Sequence, residues 1–270
     1  MSQMDILAAN NLTKVYNGRT VVKDVSFHVG EAEIVGLLGA NGAGKTTSFR
    51  MVMGMIRPEN GNVHFNGQEI TKHPMYRRAQ IGIGYLAQEP SVFQRLTVEE
   101  NLMAILETRH MDKHQRRERA EELMAQFNLT KLRRQQARTL SGGERRKLEI
   151  ARALVTDPSL IFLDEPFSAV DPLTIEELQV EIKRLRDEHH IAVLVTDHNV
   201  QRTLEIVDRA YVIFEGTDFE GIQHRQHIAT LAPSAGLISL PEPQPDQILS
   251  QLELPILGRA PSTIRALPKE

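Results

Sequence analysis

The run GANGAGKTT, Gly39 to Thr47, holds residue types suited to gripping phosphate. It follows the apolar run IVGLL and precedes a helical pattern, so it links a strand to a helix. Gly39, Gly42 and Gly44 let the backbone around Asn41 curl until successive N–H groups converge, and the partial positive charge of the helix start points the same way. Lys45 is placed to reach phosphate oxygens. The Thr46 hydroxyl, with Thr47 beside it, is placed to complete the coordination of a phosphate-bound Mg²⁺. A plain glycine turn would account for the glycines but not for the Gly-Lys-Thr order. The loop alone leaves the class of nucleotide enzyme open, since kinases, GTPases and motors share it.

A second constellation is LIFLDEP, Leu160 to Pro166, in which an apolar strand runs into two consecutive carboxylates. Alternation along the strand is expected to point them differently. Asp164 can then hold magnesium through water, while Glu165 faces the terminal phosphate and orients or deprotonates the attacking water. An isolated Asp-Glu pair at a strand end is commonly just solvent-exposed, but the upstream phosphate loop makes hydrolysis the better reading.

The third is LSGGERRKLEIARAL, Leu140 to Leu154, where Ser141, Gly142 and Gly143 open a helix. A hydroxyl and bare N–H groups at a helix start form another anion site, which one nucleotide cannot share with the first loop inside one compact chain. This segment resembles the signature of the ABC ATPases. The resemblance implies ATP and Mg²⁺ as ligands and a head-to-tail homodimer, in which each signature closes on ATP held by the partner's loop. Further pieces fall in the family's order: Tyr16, Gln88 in YLAQE, Asp171 in SAVDP and His198 in TDHNV. Alone, Tyr16 reads as packing, Gln88 as a loop amide, Asp171 as a helix cap and His198 as a loop histidine. By the resemblance Tyr16 stacks on adenine, Gln88 links magnesium to a membrane partner, Asp171 couples the subunits and His198 contacts the γ-phosphate.

Within the family, YLAQEPSVFQRLTVEENLMAIL, DEPFSAVDP and TDHNVQRTL resemble the ATPases of lipopolysaccharide export. Ala40 and the SAVDP string depart slightly from that pattern without removing a catalytic group. The resemblance implies transmembrane permease subunits of the LptF/LptG type and a peripheral position on the cytoplasmic face of the inner membrane. ATPases of branched-chain amino-acid importers share much of the cassette, and soluble ABC proteins of translation or DNA repair are a rival class. The latter usually carry tandem cassettes or a long coiled-coil insertion, whereas this chain has one cassette and a short helical insert. Phe93, just after Gln88, reads either as an anchor for a short helix of the membrane partner or as core.

These residues need a scaffold, and the chain of 270 residues is long enough for one large α/β domain with or without a tail. Short apolar runs, Ile6 to Ala9, Val21 to Val29, Ile34 to Leu38, Asn62 to Phe65 and Ile81 to Tyr85, read as strands. From Val98 to Leu140 the period turns helical, with Leu102, Ile105 and Leu106 on one stripe and Leu123, Met124 and Phe127 on another. Leu160 to Leu163, a helix from about Pro172 to Glu188, Ala192 to Thr196, a short helix and Ala210 to Phe214 then alternate as βαβ units. The expected fold is α/β, a P-loop NTPase of ABC type over 5–216. It has a mainly parallel core sheet, an N-terminal antiparallel β subdomain and a helical signature subdomain at about 98–155.

The net charge of −3 offers no bulk attraction to nucleic acid. The absence of cysteine excludes thiolate chemistry and fits a reducing cytoplasm. No apolar stretch approaches the roughly 18 residues of a membrane span, and no leader pattern opens the chain. Residues 217–270 differ in kind: the resemblance stops after AYVIFEG, prolines accumulate and aromatic residues end at Phe219, so an irregular tail is expected. Codons for Asp218 to Gly221 read one base later can yield Ile-Leu-Lys-Glu, the continuation the resemblance calls for. A shifted reading frame and a diverged extension both account for the tail.

Overall fold

The computed structural model describes residues 5–39, 42–168, 170–217, 224–232 and 237–239. An antiparallel sheet of four strands is built from β1 (Asp5–Tyr16), β2 (Arg19–Gly30), β4 (Asn60–Phe65) and β5 (Gln68–Glu69), in the order β2-β1-β4-β5. The second sheet contains β3 (Ile34–Gly39), β6 (Ile83–Leu86), β7 (Leu160–Asp164), β8 (Ala192–Thr196) and β9 (Arg209–Thr217). These strands run parallel in the order β9-β3-β8-β7-β6, as βαβ connections require.

The core strands read as continuous apolar runs because both of their faces are covered. Ile161, Leu163, Val193 and Val195 pack toward the helical side, while the alternate residues Leu160, Phe162, Ala192 and Leu194 pack toward the antiparallel sheet. The layer on that second side also holds Leu7, Phe27 and Val63 from the small sheet and Phe49 from α1 (Lys45–Met53), the helix that leaves the phosphate loop.

The helical subdomain holds α3 (Val98–Leu106), α4 (Lys113–Gln126) and α5 (Gly142–Ala153), following a single-turn α2 (Met75–Gln80). Thr97, Asp112 and Ser141 each cap their helix in a reciprocal box with Glu100, Gln115 and Glu144. The helical period over 98–140 is thus realised as two helices, and 130–132 and 137–139 are short 3₁₀ turns. The helix α6 (Pro172–Asp187), with proline at its first position, and the short α7 (Val200–Leu204) complete the layer behind β7 and β8. Among the described residues, no helix is long and apolar enough to cross a membrane.

Two segments of the 217–270 stretch are described as strands. β10 (His224–Ala232) pairs antiparallel with β9 along its length, and β11 (Leu237–Ser239) pairs with β10, extending the core sheet to seven strands. Backbone pairing with an open sheet edge places these segments, a driving force that an apolar pattern does not report. The remainder of 217–270 lies outside the described residues.

Candidate nucleotide site

The phosphate loop leaves β3 at Gly39, whose φ of 147 and whose near contact with Ile213 (a Cβ there would lie 2.1 Å from its carbonyl oxygen) admit only glycine. Gly44, in the left-handed region, precedes Lys45, the first residue of α1. The Lys45 ammonium folds back to donate to the Gly39 carbonyl at 2.5 Å. Burial pulls its pKa down, and the charge of Glu165 pulls it back up. Gly42, Gly44, Lys45, Thr46 and Thr47 line one pocket of about 170 Å³ with Val21, Glu165 and His198. Ala40 and Asn41 lie outside the described residues.

Asp164 ends β7 and is almost fully buried. Burial, then the neighbouring Glu165 charge, raises its pKa, while a long hydrogen bond from the Tyr85 hydroxyl at 3.4 Å lowers it. Burial, assisted by Asp164, pushes the Tyr85 hydroxyl up to about 12, so it stays a donor. Glu165 lies just past the strand with φ 47, and its N–H donates to the Thr196 carbonyl at 2.7 Å. This left-handed turn, rather than the expected strand alternation, sets the direction of its side chain, which lines the pocket. Such a conformation costs about 1–3 kcal/mol in a residue with a side chain and recurs where geometry serves function.

The Glu165 carboxylate accepts a hydrogen bond from the Gln88 amide at 2.7 Å and lies 3.5 Å from His198 Nδ1. His198 Nδ1 also sits 3.4 Å from Asp197, whose buried carboxylate accepts from the N–H groups of Phe167 and Asn199. Burial raises the Asp197 pKa; the two backbone donors and His198 oppose it. Asp197 anchors the turn that presents His198.

Other expected residues are not among those lining this pocket. Tyr16 is exposed at the end of β1 with the Lys14 ammonium 5.3 Å from its ring centre. Ser141 caps α5, with Gly142 exposed beside it and Gly143 buried against Thr174. Asp171 caps α6, accepting from the N–H and hydroxyl of Thr174. Phe93 is 45% exposed, which removes its core reading, and the Arg152 guanidinium stacks 4.5 Å from its ring centre.

The sequence reading missed Arg146. From α5 its buried guanidinium donates to the carbonyls of Ala87, Asp164, Glu165 and Pro166 and to the Glu149 carboxylate. Glu149 in turn accepts from the Ser91 N–H at 2.9 Å. The signature helix thus grips the backbone beside Gln88 and beneath both carboxylates. The available signal was spacing, because Arg146 and Glu149 share the helix face of Gly143 and Ile150.

A phosphate loop at the end of a parallel strand, an adjacent strand ending in two carboxylates and a serine-capped glycine helix define a nucleotide-binding cassette. The family model described as "ABC transporter" matches residues 22–168, and the chain belongs to that family. It is 52% identical over 214 residues to the lipopolysaccharide export system ATP-binding protein LptB of Haemophilus influenzae, covering 79% of this chain and 88% of that one. Among solved structures, the ADP conformation of MJ1267, an ATP-binding cassette of an ABC transporter, aligns with a TM-score of 0.71 at 27% identity, over 81% of this chain and 93% of that one. A dimeric post-hydrolysis cassette, MJ0796 bound to ADP and Pi, aligns with a TM-score of 0.67 at 26% identity, over 76% of this chain and 93% of that one.

Proposed function

We propose that this chain is the ATP-hydrolysing subunit of a lipopolysaccharide exporter. It works as a head-to-tail homodimer held at the cytoplasmic face of the inner membrane by permease subunits of the LptF/LptG type. The observation that carries the ATPase reading is the convergence of Lys45, Thr46, Glu165 and His198 on one pocket, with Gln88 bonded to Glu165. The substrate follows from the similarity to the named LptB protein.

In this reading the loop N–H groups and Lys45 hold the β- and γ-phosphates and Tyr16 stacks on adenine. Glu165 orients the attacking water and takes its proton, and His198 contacts the γ-phosphate. Thr46, Asp164 and Gln88 would hold Mg²⁺. Their hydroxyl, carboxylate and amide oxygen are the hard donors that ion prefers alongside phosphate. Because the Gln88 amide nitrogen donates to Glu165, its oxygen is left for the cation. When bound, the ion neutralises charge on the phosphate oxygens. Ser141, Gly142 and Gly143 serve the nucleotide of the other subunit, and Asp171 couples the two. The exposed positions of Ser141, Gly142 and Asp171 at helix starts, outside the pocket of their own subunit, support that division.

Glu165→Gln tests the reading. The variant keeps nucleotide binding, loses turnover by about 10²–10⁴-fold and accumulates as an ATP-bound dimer seen by light scattering. Turnover within a few-fold of the parent removes Glu165 from the mechanism. The cargo is tested separately, by lipopolysaccharide release from vesicles carrying the chain with its permease.

A further inference from the structure

Gly143 and Asp171 belong to different elements, the start of α5 and the start of α6, yet one side chain touches both. The Thr174 hydroxyl donates to the Asp171 carboxylate at 2.6 Å, and the Thr174 N–H donates to the other carboxylate oxygen at 3.1 Å. The same side chain fills the notch left by Gly143. A Cβ on Gly143 would lie 2.5 Å from the Thr174 methyl carbon and 2.7 Å from its hydroxyl oxygen. The space above Gly143 is therefore closed by a β-branched side chain whose rotamer is held by the bond to Asp171. One turn further along, Lys147 and Glu177 pair at 2.6 Å and keep α5 and α6 in the same register.

We infer that Thr174 is a positioning residue that ties the signature segment to the Asp171 turn, so that the two surfaces offered to the partner subunit move as one. This rests on the homodimer reading above. The hydroxyl also holds the Asp171 carboxyl below its ordinary range, which keeps it a charged acceptor. An Asp171 that lost this bond would keep the backbone cap but be free to turn, and the rotamer that closes the Gly143 notch would lose its anchor. The signature would then approach the second nucleotide without a fixed relation to the turn beside it.

The test is made in the full-length Glu165→Gln protein, where dimer formation is read by light scattering against ATP concentration. Thr174→Val keeps the shape over Gly143 and removes the donor, whereas Thr174→Ser keeps the donor. Thr174→Val is expected to need about 3–10-fold more ATP for half-maximal dimer, the range of one lost hydrogen bond, and Thr174→Ser to stay near the parent. Binding of a fluorescent ATP analogue to the monomer, which uses the other face of the subunit, should be unchanged in both; a general folding defect would move it. If the parent dimerises and Thr174→Val does so at the same ATP concentration, the inference about Thr174 is overturned while the dimer reading stands. Equal defects in the Val and Ser variants overturn it too, because the hydroxyl would not be the cause. If the parent itself stays monomeric with ATP, the dimer reading falls and the inference falls with it.

Discussion

Replacing Arg146 by methionine keeps an unbranched stem and removes the charge and every donor. In the native chain that guanidinium is 6% exposed and bonds to four carbonyls and to Glu149. The substitution leaves the Glu149 carboxylate, whose side chain is 3% exposed, with the hydrogen bond from the Ser91 N–H but without its ion pair. Breaking a buried pair from one side costs about 3–5 kcal/mol, because the surviving charge stays out of water. Urea unfolding of Arg146→Met, Glu149→Gln and the double variant measures this as a cycle, with an expected coupling of about 0.5–3 kcal/mol. Turnover should fall beyond what instability explains. The released carbonyls of Ala87 and Glu165 sit beside Gln88 and Glu165, which meet at the water-activating position of the proposed mechanism, and a misplacement of about 1 Å there costs roughly 10²-fold. Arg146→Lys should rescue little, since a point ammonium cannot reach acceptors spread across two strand ends and a loop. A stability loss under about 1 kcal/mol with turnover within a few-fold of the parent would refute the reasoning.

On the proposed reading Lys45→Ala removes a charge-assisted contact to phosphate, so ATP affinity measured by calorimetry should drop by about 10–100-fold with the fold intact; affinity equal to the parent would contradict the assignment. Phe93→Ala should leave unfolding within about 1 kcal/mol of the parent, as for a surface side chain, yet weaken permease capture by about thirty-fold if the ring is the anchor of that contact. Retained capture would leave Phe93 as no more than a platform for Arg152.

What the sequence made legible was chemistry carried by contiguous residues. Gly39 to Thr47 and Leu160 to Asp164 each contain both an element that does the positioning and groups positioned by it, so a local pattern is sufficient to read them. The strands β7 and β8 were legible for a related reason, since burial on both faces demands unbroken apolar runs. Arg146 was not, because a charged residue in a helix between Arg145 and Lys147 is normally solvated. Only the arrival of four carbonyls from β7, its following turn and the loop after β6 makes the buried position tenable. Tyr85 and Asp164 are likewise brought together by the register of β6 with β7, which places Tyr85 opposite Phe162.

Glu165 marks where local reading reaches its limit. Alternation of side chains holds for a residue inside a strand, and Glu165 is the first residue beyond it. Its direction depends on a left-handed φ that a glutamate adopts only under constraint. The constraint is visible: its N–H is held by Thr196 at the end of β8, and its carbonyl is held by Arg146 from α5. Both partners come from elements that the sequence reading identified for other reasons. The proposed general base is thus aimed by the core sheet from one side and by the signature helix from the other. Any rotation of the helical subdomain that moves Arg146 must therefore act on the backbone of Glu165 and on the residue before Gln88 at the same time, which gives the signature a mechanical route to the proposed hydrolytic centre of its own subunit.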